Sequence, residues 1–488
     1  MAFYHGVKTG EIPTAVIPPV KGDQPVVIVG TAPVNLSADG VGKTNEPVLC
    51  YSLADAVKAF GYSDDWNSYT LCEAMYTFFQ LYAVAPVVLI NVLDSARHKT
   101  AVTGETVTLD SKGAATLANL GGILASVVVK SSDGETTYVK DTDYVAAYDD
   151  DGRIVITRVA TGAIGAGAEL LVSYDRLNPG AVTKADVIGG YDVTTGKYTG
   201  LELMEQIYPK FGLVPCFLIA PGFSSDSEVA AVMNAKCEAV NTVFPCMFGV
   251  DVPVATVKTY SAVSALKNAN NFVDESMVVC WPKVKLGERV FNMSTQFAAL
   301  KLATDAENDG IPYKSPSNEN FQMDGCTVGD TGAADEVFLS LPEANYLNSQ
   351  GIVTALNFTG GWKCWGDWTA CYPSVTDTKD CFIPVKAMFF WERVHLVQTY
   401  WQKVDDPMNR RLIQTLVDSE NIVLNGLAAQ GVLVGDGNKI SFREDDNPVT
   451  ELLAGTIKLH VDMTPCIPAA VIDYDLEFNV DNLSSLFG

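Results

Sequence analysis

Five short runs in this sequence are apolar at almost every residue: PVVIVG (Pro25–Gly30), VVLINVLD (Val87–Asp94), CFLIAPG (Cys216–Gly222), FPCMFGVD (Phe244–Asp251) and MVVCWP (Met277–Pro282). A strand without a polar face must be covered on both sides, as in a parallel sheet with helices on its two faces. Helical patterns lie between most of these runs. Ser52-Leu-Ala-Asp55 opens one of them, with a hydroxyl to cap the first free amides and an acid at the positive helix end. Tyr69–Ala83, Thr199–Lys210 and Asp226–Val240 carry apolar residues at i, i+3 and i+4. Strand–helix alternation of this kind predicts an α/β sheet.

One stretch breaks the rhythm. From Arg97 to Asn178 the chain has no Pro, Cys, Trp, Phe or Met. It reads instead as strands and polar turns, with Asp151-Gly152 fitting a hairpin turn between YVAAY and RIVITR. A compositional shift this abrupt predicts a separate β domain inserted after the Val87–Asp94 strand, with the α/β pattern resuming near Asp186. Inserted units of this kind decorate a surface. The last third predicts two successive helices, Val385–Val404 and Met408–Ala429, parted by Asp405-Asp406-Pro407, and a strand within Gly455–Met463.

Both ends read as extended. Pro13, Pro18 and Pro19 exclude a helix near the start. After Pro465 and Pro468, the residues Ile472, Tyr474, Leu476, Phe478 and Val480 alternate with Asp473, Asp475, Glu477 and Asn479. Period 2 over nine residues puts one apolar face opposite one acidic face. Burying four or five such side chains contributes roughly 1.5–3 kcal/mol each, while ordering about ten residues costs roughly 1–2 kcal/mol each. The two terms nearly cancel. Such a tail orders only where a sheet edge adds ladder hydrogen bonds, and that edge belongs either to its own chain or to a neighbour.

Composition removes several function classes. The 488 residues carry 33 basic and 58 acidic side chains, a formal charge of −25. That field repels phosphate backbones, so no nucleic-acid partner is expected. The start lacks the basic-then-apolar pattern of a secretory signal, and no apolar run reaches 18 residues, so no membrane insertion is expected. Four histidines, eleven cysteines and no C-x-x-C predict reduced, buried thiols and neither a metal site nor a cofactor.

Three motifs tempt a chemical reading and each falls short. Gly40-Val-Gly-Lys-Thr44 ends like a phosphate-binding loop, but its required first glycine is Ser37 and Pro47 blocks the helix that should follow. Ser224, in PGFSSDS, lies between a strand and a helix like a hydrolase nucleophile, but Asp226 replaces the last glycine and no histidine pairs with it by sequence. Trp362, Trp365 and Trp368 could stack on sugars, although a loop packed by large aromatics explains them as well. An NTPase, a hydrolase and a carbohydrate-binding surface protein are therefore the alternatives, and no catalytic residue is assigned. Lys403, Arg410 and Arg411 form the one compact basic spot on the helical pair, read either as ordinary helix decoration or as a dock for an acidic partner.

The order of several stretches resembles the tail sheath proteins of contractile-tailed bacteriophages, which are similar to the sheaths of R-type bacteriocins and contractile injection systems. They are GVKTGEIP with PVVIVGTAP, FLIAPGFSSDSEVAAVMNAKCEAV, SPSNENFQMDGC, YLNSQGIVTALNFTGGWKCWGDWT, VDDPMNRRLIQTLVDSENIVLNGLAAQGVLVG and GTIKLHVDMTPCIPAAVIDYDLEF. Together they span nearly the whole chain outside the β insertion. The resemblance implies a non-enzymatic virion subunit, made in the bacterial host cytoplasm and stacked as hexameric rings around a tail tube protein. Baseplate and tail terminator proteins are the further partners it implies, and contraction drives the tube through the envelope. It implies a layered α/β core with an inserted all-β domain and extended N- and C-terminal arms. The expected layout is an arm at 1–24, a core at 25–96 and 186–335, an outward-facing β domain at 97–185, a tube-proximal domain at 336–468 and an arm strand at 469–488. The resemblance also moves the tail strand from its own chain to a neighbour. The expected inter-subunit strands contain Val7, Glu11 and Ile12 at one end and Ile472, Tyr474, Leu476, Phe478 and Val480 at the other. Lys403, Arg410 and Arg411 become candidate tube contacts.

Overall fold

The computed structural model describes residues 20–329 and 335–487. The chain enters through β1 (Val20–Gly30), so residues 20–24, expected in an arm, already belong to a strand. It continues through β2 (Val48–Cys50), α1 (Leu53–Phe60), α2 (Thr70–Tyr76) and β3 (Val84–Asn91). Ser52 caps α1 by accepting a hydrogen bond from the Asp55 amide. The chain then makes six strands: β4 (Lys99–Thr108), β5 (Ala114–Leu120), β6 (Val128–Ser131), β7 (Tyr144–Tyr148), β8 (Arg153–Arg158) and β9 (Glu169–Leu177). These pair in two antiparallel sheets, β4-β9-β6 and β5-β8-β7. Alternate side chains, among them Leu117, Val129, Ile154, Ile156, Leu170 and Val172, form a buried cluster of their own. Between β7 and β8 the Asp149 carboxylate accepts from the Asp151 and Arg153 amides, and Gly152 supplies the positive φ that the turn requires.

The path returns with β10 (Phe217–Ile219), α3 (Ser227–Glu238), β11 (Met247–Asp251), α4 (Tyr260–Ala269), β12 (Met277–Cys280) and α5 (Met293–Glu307). It ends with α6 (Leu341–Asn348), β13 (Ile352–Phe358), β14 (Gly361–Trp365), α7 (Ile383–Tyr400), α8 (Arg410–Ala429), β15 (Lys439–Phe442) and β16 (Leu459–Asp462). The large sheet runs β2-β3-β1-β10-β11-β12-β13-β14. Its inner strands are parallel, and β2 and β14 close the edges antiparallel. Every residue of β3 is buried, as are Val26 to Val29 of β1, which is what two covered faces demand. Nine of the eleven cysteines are buried, the other two are half-buried, and all are free thiols.

The predicted helices are shorter and less regular than their patterns. The Tyr69–Ala83 pattern is α2 followed by a wider π turn at Thr77–Leu81, and Thr199–Lys210 opens as a 3-10 turn at Gly200–Gln206. Of Gly455–Met463, only Leu459–Asp462 is strand. A third small cluster, Met388, Leu424, Leu427, Val432 and Leu433, ties α8 and the segment that follows it to α7.

Candidate assembly interface

In an open α/β sheet a ligand binds where the strand order reverses, in the crevice past the strand ends. Here that crevice lies between β1 and β10, and α2 fills it. Thr31 and Thr70 exchange hydrogen bonds, amide to hydroxyl, at 3.3 and 3.1 Å, and the Leu71 amide donates to the Thr31 carbonyl. A Cβ added to Gly30 would stand 2.3 Å from Thr70 Oγ1, so the helix touches the strand backbone itself.

Beside this plug lies a cavity of about 170 Å³ at the ends of β11 and β12, lined by Ser224, Asp251, Cys280 and Asn292 among others, with no histidine. Its polar groups are occupied by one another. Asp251 accepts from the Ser294 amide (2.9 Å) and hydroxyl, and the Ser224 hydroxyl accepts from the Asp251 amide (3.2 Å). Glu73 accepts from Asn292 through both its amide and its side chain. Burial pushes Asp251 up and Glu73 up to about 7. Asp226 is the N-cap of α3, accepting from the Glu228 and Val229 amides.

The loop at residues 40–44 is likewise closed to phosphate. Asp39 already accepts from the Val41 and Gly42 amides (3.1 and 2.7 Å), placing a carboxylate where a phosphate would have to sit. Trp368 packs on Tyr372 and Phe382, and the Trp365 indole donates to Asn345; these two line one groove of about 730 Å³ with residues 466–471, and Trp362 is not in its lining, so the three tryptophans do not share one platform. Among the described residues no group of three His, Cys, Asp or Glu is arranged to hold a metal ion. No helix there is long and apolar enough to cross a membrane.

The unsatisfied surface lies instead at the carboxy-terminal end of the chain. Ile440 on β15 donates its N–H to the Asn421 side chain and accepts from it (2.9 and 3.2 Å), which closes that edge. Its cross-strand partner Val461 therefore sits in a non-hydrogen-bonded pair and points its own N–H and C=O outward. Among the described residues no strand pairs with the outer edge of β16. An apolar groove of about 340 Å³ runs alongside, lined by Tyr400, Trp401, Val404, Leu416, Leu459 and Val461. A second, of about 580 Å³, holds Met408, Arg410, Ile413, Val417, Phe442 and Leu452.

The three basic candidates are not equivalent. Lys403 pairs with Asp406 at 3.4 Å. Arg410 and Arg411 are exposed in the first turn of α8 and make no ion pair among the described residues. Positive charge at a helix N-terminus opposes the dipole by roughly 0.3–1 kcal/mol per residue. Helix stability therefore does not account for them. Composition could not reveal Asn421 as an edge cap or Trp401 as an exposed apolar neighbour of Lys403, because both depend on packing.

The tail leaves this lobe abruptly. Its last long-range ties are Val434 N–H to Thr464 C=O and Cys466 N–H to Val432 C=O. Ile472, Tyr474, Leu476, Phe478 and Val480 are then between 64% and 97% exposed, and the alternating segment joins no strand of its own chain among the described residues. Val480, expected to end the strand, begins a 3-10 turn, Val480–Phe487. Val7, Glu11 and Ile12 lie outside the described residues.

No family model matches the sequence. The tail sheath protein of Burkholderia phage BcepMu is 30% identical over 500 residues, covering 100% of this chain and 99% of that protein. The chain belongs to the tail sheath protein family. It is a structural subunit of a contractile sheath. The fold agrees: a chain of the anti-feeding prophage baseplate superposes with a TM-score of 0.58 at 15% identity, covering 98% of this subunit and 100% of that chain. The sheath of an extracellular contractile injection system in its contracted state gives 0.56 at 13% identity, with 99% of both chains covered. The sheath subunit is thus a mixed helix-and-sheet protein whose crevice is plugged and whose β16 edge pairs with no further strand among the described residues.

Proposed function

We propose that this subunit polymerises with copies of itself as stacked hexameric rings around a tail tube protein, bounded by baseplate and tail terminator proteins, and contracts without catalysing a reaction. The observation that carries this reading is the tail: five apolar side chains in strict alternation, exposed beside a lobe that offers an open strand edge and an apolar groove. A strand added from a neighbour supplies the ladder bonds that tip the near-balance between burial and ordering. The amino-terminal arm, with Val7, Glu11 and Ile12, is assigned the same role at the other end. Because backbone ladders do not depend on side-chain charge, they also let copies of charge −25 adhere. In this arrangement the α/β core spans 25–96 and 186–335, the six-stranded unit at 97–185 faces outward, and residues 336–468 lie toward the tube. The plugged crevice and the self-satisfied Asp251 and Ser224 favour a mechanical over a catalytic subunit. Assembly takes place in the bacterial host cytoplasm, and the product is part of the virion.

Negative-stain microscopy of the purified protein tests the reading, with tubes or stacked rings expected. Dispersed particles under every assembly condition would overturn it. Arg410 and Arg411 are assigned to the tube surface. Arg410→Glu with Arg411→Glu is expected to reduce co-assembly with tube by tenfold or more and to leave the melting temperature within a degree or two. Equal loss of stability and assembly would make the pair structural.

A further inference from the structure

Where α7 packs on α8, the chain buries two carboxylates that lack hydrogen-bond partners. Glu392 is 3% exposed and Glu420 fully buried, and all four of their oxygens are unpartnered. His395, one turn along α7 from Glu392, stands with Nε2 3.5 Å from Glu420 Oε2, and its ring stacks on Trp391 at 5.5 Å and 3°. The Tyr400 hydroxyl is a further buried, unpartnered group on α7. Among the described residues no other charge reaches the cluster. Lys386 turns to Asp380 and Glu275, and Arg393 lies over the Phe390 ring. Asp418, Arg410 and Arg411 of α8 are exposed. From the hairpin, Lys439 is exposed, Lys458 faces Asp446, and Arg443 and His460 both turn to Asp462. Near Ile311 and Tyr313, Lys314 pairs with Glu319.

Two buried carboxylates that feel each other's charge at one helix seam cannot both ionise cheaply, and the one imidazolium beside Glu420 balances only one of them. We propose that Glu392 and Glu420 hold a single proton between them beside a charged His395, and that this shared proton clamps α8 to α7.

The position gives the clamp a consequence. Ile383, Ala387 and Val394 of α7 belong to the main core, whereas Met388 joins Leu424 and Leu427 of α8 in the lobe cluster. The pair therefore sits on the seam between core and lobe. Burial, together with the neighbouring Glu420 charge, pushes Glu392 up to about 7, and Glu420 in turn holds His395 above the usual imidazole range. Burial acts on Glu420 too, but His395 and Tyr400 outweigh it and keep that carboxyl low. Groups raised in the folded state stabilise it fully at acid pH and lose that contribution as pH rises through the folded value. Glu420, being lowered, stabilises above the ordinary glutamate range and loses its contribution as pH falls. The seam is therefore tightest at weakly acidic pH, just above the ordinary glutamate range, and slackens progressively as pH rises from there through about 7.

Infrared titration of the intact protein tests this, together with amide hydrogen exchange of α7 and α8. The wild type is expected to show a protonated-carboxyl band that bleaches with a midpoint near 7. Glu392→Gln removes that component; Glu73→Gln, the control for the other carboxyl pushed to about 7, leaves it in place. Between pH 6 and 8.5, α7 and α8 amides of the wild type gain at least tenfold in exchange beyond the intrinsic base-catalysed rise, and Glu392→Gln abolishes the gain. A wild type whose only bleaching band near neutrality is the one Glu73→Gln removes would overturn the proposal. So would a Glu392→Gln protein whose exchange keeps the wild-type pH dependence. The Glu73→Gln titration decides even if Glu392→Gln fails to fold, because it leaves only the Glu392 band near 7.

Discussion

A subunit ending at Pro468 is expected to melt within a degree or two of the full-length protein and to form no sheath. The first half follows from how little of the fold depends on the tail. The last long-range backbone bonds are made by Thr464 and Cys466, both retained, and the next one, Ala470 N–H to Pro468 C=O, is local. The apolar side chains from Ile472 to Val480 lie in solvent, so removing them takes nothing from the core. Surface changes of that kind alter stability by about 0.5 kcal/mol or less. The second half follows from the proposed strand addition: without those residues neither the edge at Val461 nor the groove beside Trp401 receives its partner. Calorimetry and negative-stain microscopy on the same preparation read the two halves separately. Normal tubes from the truncated protein would sink the arm hypothesis, and Leu476→Asp with Phe478→Asp in the full chain should reproduce the assembly defect.

The fold was legible in the sequence where a local rule coincided with the global environment. The all-apolar runs are the inner strands of the large sheet, because only a doubly covered strand dispenses with a polar face. Ser52 and Asp226 cap helices for the reason their side chains predict. Legibility failed where burial was not periodic. The helix α5 is buried almost all round, with Ser294, Thr295, Gln296 and Lys301 inside, so its pattern shows no stripe to read. The tail showed its alternation but not its partner, since a surface on another copy leaves no trace in the order of residues along one. Glu392 and Glu420 stand far apart in sequence, and only the packing of α7 on α8 makes them neighbours. The Glu392-x-x-His395 spacing on an otherwise apolar helix was the one available hint.

The largest effect of a single substitution is expected at Gly189, and it concerns folding alone. The chain returns from β9 through a short helix, Lys184–Ile188, whose C-cap is Gly189 at a φ of 69°. A Cβ there would stand 1.9 Å from the Thr199 carbonyl oxygen and 2.3 Å from its carbon, both backbone atoms. Gly200 faces it in the same way, with its own Cβ position 2.3 Å from the Val187 carbonyl. With a ψ of −147° the Gly189 backbone lies in a region essentially reserved for glycine and costs a residue with a side chain roughly 1–3 kcal/mol, and overpacking against groups that cannot swing aside adds about 1–3 kcal/mol or more. A sum of roughly 2–6 kcal/mol is a large share of the 5–15 kcal/mol that typically separates folded from unfolded. Gly189→Ala should therefore lower the urea midpoint sharply or leave the protein insoluble. Gly190→Ala, whose added Cβ meets nothing within 4 Å, should lie within about 0.5 kcal/mol of wild type. A Gly189→Ala protein as stable as Gly190→Ala would refute the close backbone contact. Set beside the truncation, the pair separates two ways of losing a sheath: one variant cannot build the subunit, and the other builds it but cannot join it to its neighbours.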